Sequence, residues 1–262
     1  MMGTVLYFDI GNTNTKIGIG TKEKIDFSFV LPSDERRTAD DFGLSLLAML
    51  THTGIDPADV QGSIASSVAP GISSTVAAAC QRFLCCQTLF APEDVPIPLE
   101  NHYSRPHEVG ADRLVGAYAA RRLFPEESSL ITVDYGTATT FDCVEDNAYL
   151  GGLICPGLLS AAAALSSGTA KLQRISLHVE DELPVLGRST SSSMNNGFVF
   201  GFAAMTEGLC ARLAENMSKR PYVIGTGGFA AALSRVTRRF DAVLPDLLLE
   251  GLRLLYKEQV KE

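Results

Sequence analysis

Two stretches of this sequence repeat one another at about half its length. Val5-Leu6-Tyr7-Phe8 runs into Asp9-Ile10-Gly11-Asn12-Thr13-Asn14-Thr15, and Leu130-Ile131-Thr132-Val133 runs into Asp134-Tyr135-Gly136-Thr137-Ala138-Thr139-Thr140. In each, a short β-rich apolar run ends in Asp-x-Gly and passes through a turn of hydroxyl and amide side chains. A second apolar run follows, Ile17-Gly18-Ile19 in one case and Phe141 to Val144 in the other. The pattern reads as strand, polar turn, strand. The two Asp residues stand 125 positions apart in a chain of 262, which points to two similar lobes rather than an array of short repeats.

The chemistry of such a turn is specific. Glycine lets backbone come close to a ligand, and Thr and Asn add donors, so the turn can cradle phosphate oxygens. An Asp at the carboxyl end of a strand can hold Mg²⁺ directly or through water. Two such turns facing each other across a cleft would grip a nucleoside triphosphate from both sides. One turn alone is equally readable as a hairpin with an Asx cap, so the pair carries the reading.

The remaining chain alternates strands and helices. Asp40 to Thr53 has helical spacing in Leu44, Leu47, Ala48 and Leu50 and stops at Gly54; Pro70 to Phe83 and Ala111 to Phe124 read as further helices, the latter stopped by Pro125. Ser63 to Val68 and Thr88 to Phe90 are strand candidates in this half. Ser191 to Met217 and Leu247 to Val260 read as helices, with a strand at Tyr222 to Ile224 feeding Gly225-Thr226-Gly227-Gly228. This is an α/β pattern with a boundary near Pro125, hence lobes 1–125 and 126–262. Tyr149 to Thr169 carries no charge, but Gly151, Gly152, Pro156 and Gly157 break any spanning helix, and a buried turn followed by a helix from about Leu158 is expected.

Charge narrows the partners. Lys and Arg number 22 against 30 Asp and Glu, a net charge of -8, which argues against a nucleic-acid or anionic-membrane binder. A polyanionic ligand would need a metal ion and backbone N–H groups to hold it. The six cysteines form no CxxC pair and lack His at zinc spacing, so they read as reduced thiols of a cytoplasmic protein. Met1 to Phe8 lacks the pattern of a signal peptide. His102 and His107 have no third ligand at metal spacing, Ser189 to Ser193 lacks a nucleophile context, and Arg36-Arg37, Arg121-Arg122 and Arg238-Arg239 are balanced by acidic runs such as 180–182.

Asp9-Ile10-Gly11-Asn12-Thr13, Gly110-Ala111-Asp112-Arg113, Asp134-Tyr135-Gly136-Thr137-Ala138-Thr139-Thr140, and Tyr149-Leu150-Gly151-Gly152 followed by Pro156-Gly157 occur in an order and spacing that resembles type III pantothenate kinase. Thr226-Gly227-Gly228 and Leu249-Glu250-Gly251-Leu252 extend the resemblance over about residues 4 to 257. It implies an actin-like fold of two ribonuclease-H-like lobes with a nucleotide cleft between them. It also implies transfer of the ATP γ-phosphoryl to pantothenate in coenzyme A synthesis, a homodimer, Mg²⁺, and a monovalent cation, K⁺ or NH4⁺.

The same resemblance assigns roles. Asp112 is the expected general base, although an Asp at a helix start also suits the macrodipole. Gly110, Ala111, Arg113, Tyr103 and Thr190 are expected to contact pantothenate, with the Arg113 fork suited to its carboxylate. Thr190 could equally cap the helix beginning at Ser191. Asp9, Ile10, Gly11, Asn12, Thr13, Asn14, Thr15 and Lys16 would line ATP, with Asp9 placing Mg²⁺, and Thr137 would reach ATP from the other lobe. Asp134 matches the monovalent-cation position. Two departures stand out: Gly116 replaces a common Asn, suggesting close packing, and Tyr135 replaces a common Phe. A non-catalytic regulator resembling the Bvg accessory factor group, or a kinase for another small alcohol or a sugar, are the alternative readings.

Overall fold

The computed structural model describes residues 3–168, 172, 175–179 and 186–259; the acidic run at 180–182 lies outside them. The described chain separates into two compact units, Met1–Leu99 with His107–Arg122 and Leu248–Glu262, and Glu100–Pro106 with Leu123–Leu247.

The first unit is built on a five-stranded sheet. Its strands are β1 (Thr4–Ile10), β2 (Asn14–Gly20), β3 (Ile25–Pro32), β4 (Val60–Ser67) and β5 (Thr88–Ala91), ordered β3-β2-β1-β4-β5. β1 to β3 form an antiparallel meander, and β4 and β5 join in parallel, the crossovers running through α1 (Ala39–Thr53) and α2 (Pro70–Leu84). The punctuation of α1 is local: the Thr38 side chain accepts the Asp41 N–H, and Gly54 closes the helix at φ 73°. Alternation along β1 sends Leu6, Phe8 and Ile10 into the core shared with α1 and α2. Val5 and Tyr7 enter a second core on the opposite face.

That opposite face is covered by α3 (Ala111–Leu123) and α7 (Leu247–Gln259) through Val115, Tyr118, Leu249, Leu252 and Leu255. The last helix therefore packs in the first unit, although its place in the sequence put it in the second lobe. Gly251 makes the packing close, since a Cβ there would stand 2.6 Å from the Val115 carbonyl oxygen. Gly116 has no such reason: a Cβ there would meet nothing within 4 Å, so close packing does not account for it.

The second unit carries a six-stranded sheet of β6 (Glu100–Asn101), β7 (Ser129–Tyr135), β8 (Ala138–Glu145), β9 (Ala148–Pro156), β10 (Tyr222–Gly227) and β11 (Ala242–Val243), ordered β11-β10-β7-β8-β9-β6. Here β7, β8 and β9 repeat the antiparallel meander, and β10 and β11 join in parallel. The repeat seen in the sequence is thus a repeat of topology. The stretch from Tyr149 is not a buried turn but most of β9: its glycines sit in a strand, with Gly151 at φ 117° beside a register shift between Cys143 and Val144. The helix expected after it is α4 (Leu158–Ser167), and α5 (Thr190–Ala214) and the short α6 (Ala230–Leu233) complete the unit. Glu100–Pro106 belongs here because β6 pairs with β9 and the His102 N–H donates to the Tyr149 carbonyl at 2.9 Å.

Candidate active site

In the first unit the β1–β2 turn is pinned from three sides. The Gly11 N–H donates to the Asn14 carbonyl at 3.1 Å, the Ser33 hydroxyl donates to the Gly11 carbonyl at 2.6 Å, and the Ser33 N–H donates to the Thr13 carbonyl at 2.9 Å. Thr15 is buried and shares its hydroxyl with Ser33 Oγ at 2.9 Å. Ile10 is buried in the core under α1 and α2. These two side chains hold the turn in place, while Asn12, Thr13 and Asn14 are exposed at its tip. Ser33 was invisible as a site residue because only the β2–β3 pairing brings it back to the turn. Asp9 and Lys16 are register partners across β1 and β2.

Asp112 lies at the same end of this sheet. The Val68 N–H, just past β4, donates to the Ile10 carbonyl at 3.0 Å. A Cβ on Gly110 would come 3.5 Å from Val68 Cγ1 and 2.4 Å from Asp112 Oδ1. Glycine at 110 is what lets the carboxylate fold back over the backbone toward the end of β4. The Arg113 N–H donates to Asp112 Oδ1 at 2.8 Å. Burial pushes the Asp112 carboxyl above its ordinary range, against the lowering effect of the Arg113 N–H and guanidinium. Ala111 and Arg113 are both buried at 8% exposure, so the guanidinium sits inside the protein rather than on a solvated helix face. Thus the structure brings Asp9, the β1–β2 turn and Gly110 to Arg113 to the same end of the first unit's sheet.

The other expected residues lie in the second unit. The β7–β8 turn is one residue tighter than its counterpart: Gly136 N–H donates to the Ala138 carbonyl at 3.0 Å, and Asp134 pairs with Thr140. Ser160 Oγ donates to the Thr137 carbonyl at 2.8 Å, and Gly157 leaves room for that carbonyl, since a Cβ there would stand 2.1 Å from it. The Thr137 side chain is exposed. The Asp134 carboxylate sits against β10, where a Cβ on Gly227 would lie 2.2 Å from Asp134 Oδ1; Gly227 has φ 85°. Only glycine leaves that space open.

Tyr103 is half-buried, its ring 6.4 Å from the Tyr149 ring and against the α-carbon of Gly151. The Tyr149 hydroxyl donates to buried Asp142 at 2.8 Å. Thr190 is not a helix cap: Ser189 caps α5 in a reciprocal capping box with Ser192, leaving Thr190 exposed as the first helical residue. It borders a cavity of about 820 Å³ lined among others by Leu165, Arg188, Met194 and Phe198.

Among the described residues no group of three or more His, Cys, Asp or Glu could hold a metal ion by itself. A single carboxylate, Asp9, next to the backbone and side-chain donors of the β1–β2 turn fits an ion that arrives on phosphates and keeps its waters, which is how Mg²⁺ is commonly bound. At Asp134 the absence of a side chain on Gly227 lets the carboxylate oxygen pack directly against the β10 backbone.

The type III pantothenate kinase family model matches residues 5–212. A type III pantothenate kinase from Nitratidesulfovibrio vulgaris (strain DSM 19637 / Miyazaki F) is 61% identical over 254 residues, 97% of either chain. The chain belongs to the type III pantothenate kinase family. A more distant member, the type III pantothenate kinase of Geobacillus thermodenitrificans (strain NG80-2), is 34% identical over 98% of this chain and 99% of its own. Among solved structures, a Baf family protein from Campylobacter jejuni superposes with a TM-score of 0.61 at 18% identity, covering 97% and 98% of the two chains. Component A of (R)-2-hydroxyglutaryl-CoA dehydratase from Acidaminococcus fermentans gives 0.53 at 13%, covering 98% of both. The polyphosphate/ATP-glucomannokinase from Arthrobacter sp. strain KM gives 0.52 at 13%, covering 98% and 99%. At these identities the likeness concerns the fold, which is that of the actin-like ATPases and sugar kinases. As an ATP-dependent kinase of this family, the protein uses a divalent metal with ATP.

Proposed function

We propose that Asp112 is the general base with which this ATP-dependent pantothenate kinase takes the proton of the primary hydroxyl of pantothenate. The γ-phosphoryl of ATP passes in line to that oxygen, giving 4'-phosphopantothenate and ADP, the first step of coenzyme A biosynthesis. The observation that carries the assignment is the position of the carboxyl, folded over Gly110 beside the β4 end and the phosphate turn. Burial raises its pKa, which makes it a better proton acceptor than an exposed Asp.

The other residues orient the two substrates. The tip of the β1–β2 turn, Gly11 to Asn14, and Lys16 take the phosphates through backbone N–H groups and side-chain donors, and Thr137 adds a contact to ATP. Asp9 holds the divalent ion, which neutralises charge on the phosphoryl oxygens when bound. The buried Arg113 fork receives the pantothenate carboxylate, with Gly110, Ala111, Tyr103 and Thr190 shaping the rest of the acceptor site. Asp134 ligates a monovalent cation, K⁺ or NH4⁺. The protein works as a cytoplasmic homodimer. The exposed apolar side chains of α4, Leu159 and Leu165, support a covered face there.

ADP release by the purified protein with Mg·ATP, with and without pantothenate, in K⁺, NH4⁺ or Na⁺ buffers tests this reading. Turnover that requires pantothenate and K⁺ or NH4⁺ is expected. Nucleotide binding without turnover in any buffer would leave a regulator, and turnover on a sugar instead would move the acceptor.

A further inference from the structure

Three serines lie along the end of β4, and only one of them lacks a partner. Ser63 Oγ donates to Thr88 Oγ1 at 2.8 Å, and Ser67 Oγ receives the Ala69 N–H and the Ser73 hydroxyl at 3.1 and 2.6 Å. Ser66 is completely buried, and its Oγ has no hydrogen-bond partner. A buried hydroxyl in that state is destabilising, so its presence calls for a task outside the resting fold.

Its place in the sheet says which task. Val5 and Tyr7 of β1 share one core with Ile64 of β4 and Ala91 of β5, so this face of the sheet continues, by alternation, through Asp9 and Ser66. The two are register partners in the parallel β1–β4 pair, and neighbouring strands stand about 4.8 Å apart. Val68, just past β4 and on the same side by alternation, is the residue that lies against Gly110 at the base of the Asp112 carboxylate. The unpartnered hydroxyl thus sits beside the carboxylate assigned to the divalent ion, under the helix that carries the base.

We propose that Ser66 is a positioning residue: its hydroxyl donates to the Asp9 carboxylate in the Mg·ATP-loaded enzyme and holds that carboxylate toward the ion. This rests on the assignment of Asp9 to the divalent ion. The hydroxyl finds its acceptor only in the loaded state, so the bond contributes to Mg·ATP affinity and not to the stability of the free protein.

The test is calorimetric binding of ATP with Mg²⁺ and in EDTA, together with Tm, for Ser66→Ala, Asp9→Asn and the double variant. Ser66→Ala should weaken Mg·ATP by about fivefold to tenfold, the worth of one hydrogen bond. It should leave ATP in EDTA unchanged and Tm equal or higher, and it should add nothing to Asp9→Asn. Ser66→Cys, close in size but a poor donor, should bind Mg·ATP as weakly as Ser66→Ala. Ser66→Ala binding Mg·ATP like the wild type overturns the proposal. So does an equal loss with and without Mg²⁺ accompanied by a fall in Tm, which is the mark of a packing role. Asp9→Asn with unchanged Mg·ATP affinity would instead sink the Asp9 assignment, and the proposal with it.

Discussion

At the scale of single residues, burial both raises the pKa of Asp112 and destabilises the fold around it. The Asp112 carboxyl is raised mainly by desolvation, with the Arg113 N–H and guanidinium pulling the other way. A carboxyl whose folded pKa lies above its unfolded value disfavours the folded state wherever it is ionised, and that penalty fades as pH falls through the folded pKa. Asp112→Asn removes the charge and keeps the shape. Turnover should drop by about 100-fold or more, in the range typical for loss of a general base. Tm at pH 7 should be unchanged or higher, the gain shrinking toward acid pH. In the wild type, kcat/KM should fall as pH drops through the same raised pKa, so its acid limb should lie above that of an ordinary Asp. A variant that melts well below the wild type while keeping turnover would reverse both assignments. The pH–rate profile and a thermal melt at two pH values decide it.

At the scale of elements, the interplay of α3 and α7 sets where that carboxylate stands. Gly251 lies inside α7, where glycine normally costs about 1 kcal/mol against alanine. Here an alanine Cβ would come 2.6 Å from the Val115 carbonyl oxygen and 3.1 Å from the Ala119 Cβ, both on α3. Backbone cannot yield like a flexible side chain, and overpacking of this kind costs about 1–3 kcal/mol. Gly251→Ala should therefore lower stability despite better helix propensity, by about 1–2 kcal/mol net in urea unfolding. It should also lower turnover by displacing the start of α3. A rise in stability would show that the two helices have slack between them.

Elements like these were legible where the signal is local. Gly54 ends α1, Pro70 opens α2, and α3 ends at Leu123 before Pro125. The Asp-x-Gly turns declared the twin meanders because turn chemistry is written in consecutive residues. What depends on pairing across the chain was not legible. β9 looked like a turn because its glycines serve a strand that shifts register, and α7 was placed in the second lobe because nothing in its own sequence names the sheet it covers. The expected phosphate contacts could be named one by one, but Ser33, Ser160 and Gly157 reach the turns only through tertiary structure. The alternative reading of Thr190 as a cap fails because Ser189, one residue earlier, forms the reciprocal capping box with Ser192.

For the whole molecule, the question is what covers the apolar surface of the second unit. α5 is the one helix among the described residues long and apolar enough by composition to cross a membrane, yet only 22% of its most apolar window is buried. On α4, Leu159 is 56% exposed and Leu165 41%, in a sequence that is otherwise mostly alanine and serine. Scattered exposed apolar residues are ordinary, but Leu159 and Leu165 stand together on one short helix and mark an interaction surface. A second copy of the chain fits it, because a two-fold interface is self-complementary and apolar at its centre. Thr190 begins α5 on the rim of the adjoining cavity, so closing this face would also shape the site assigned to pantothenate. Leu159→Glu puts a charge where the partner would remove water. It should shift the protein from dimer to monomer in light scattering at micromolar concentration, and raise KM for pantothenate more than KM for ATP. A protein that stays dimeric with Leu159→Glu, or a wild type that is monomeric throughout, would leave this face to some other partner.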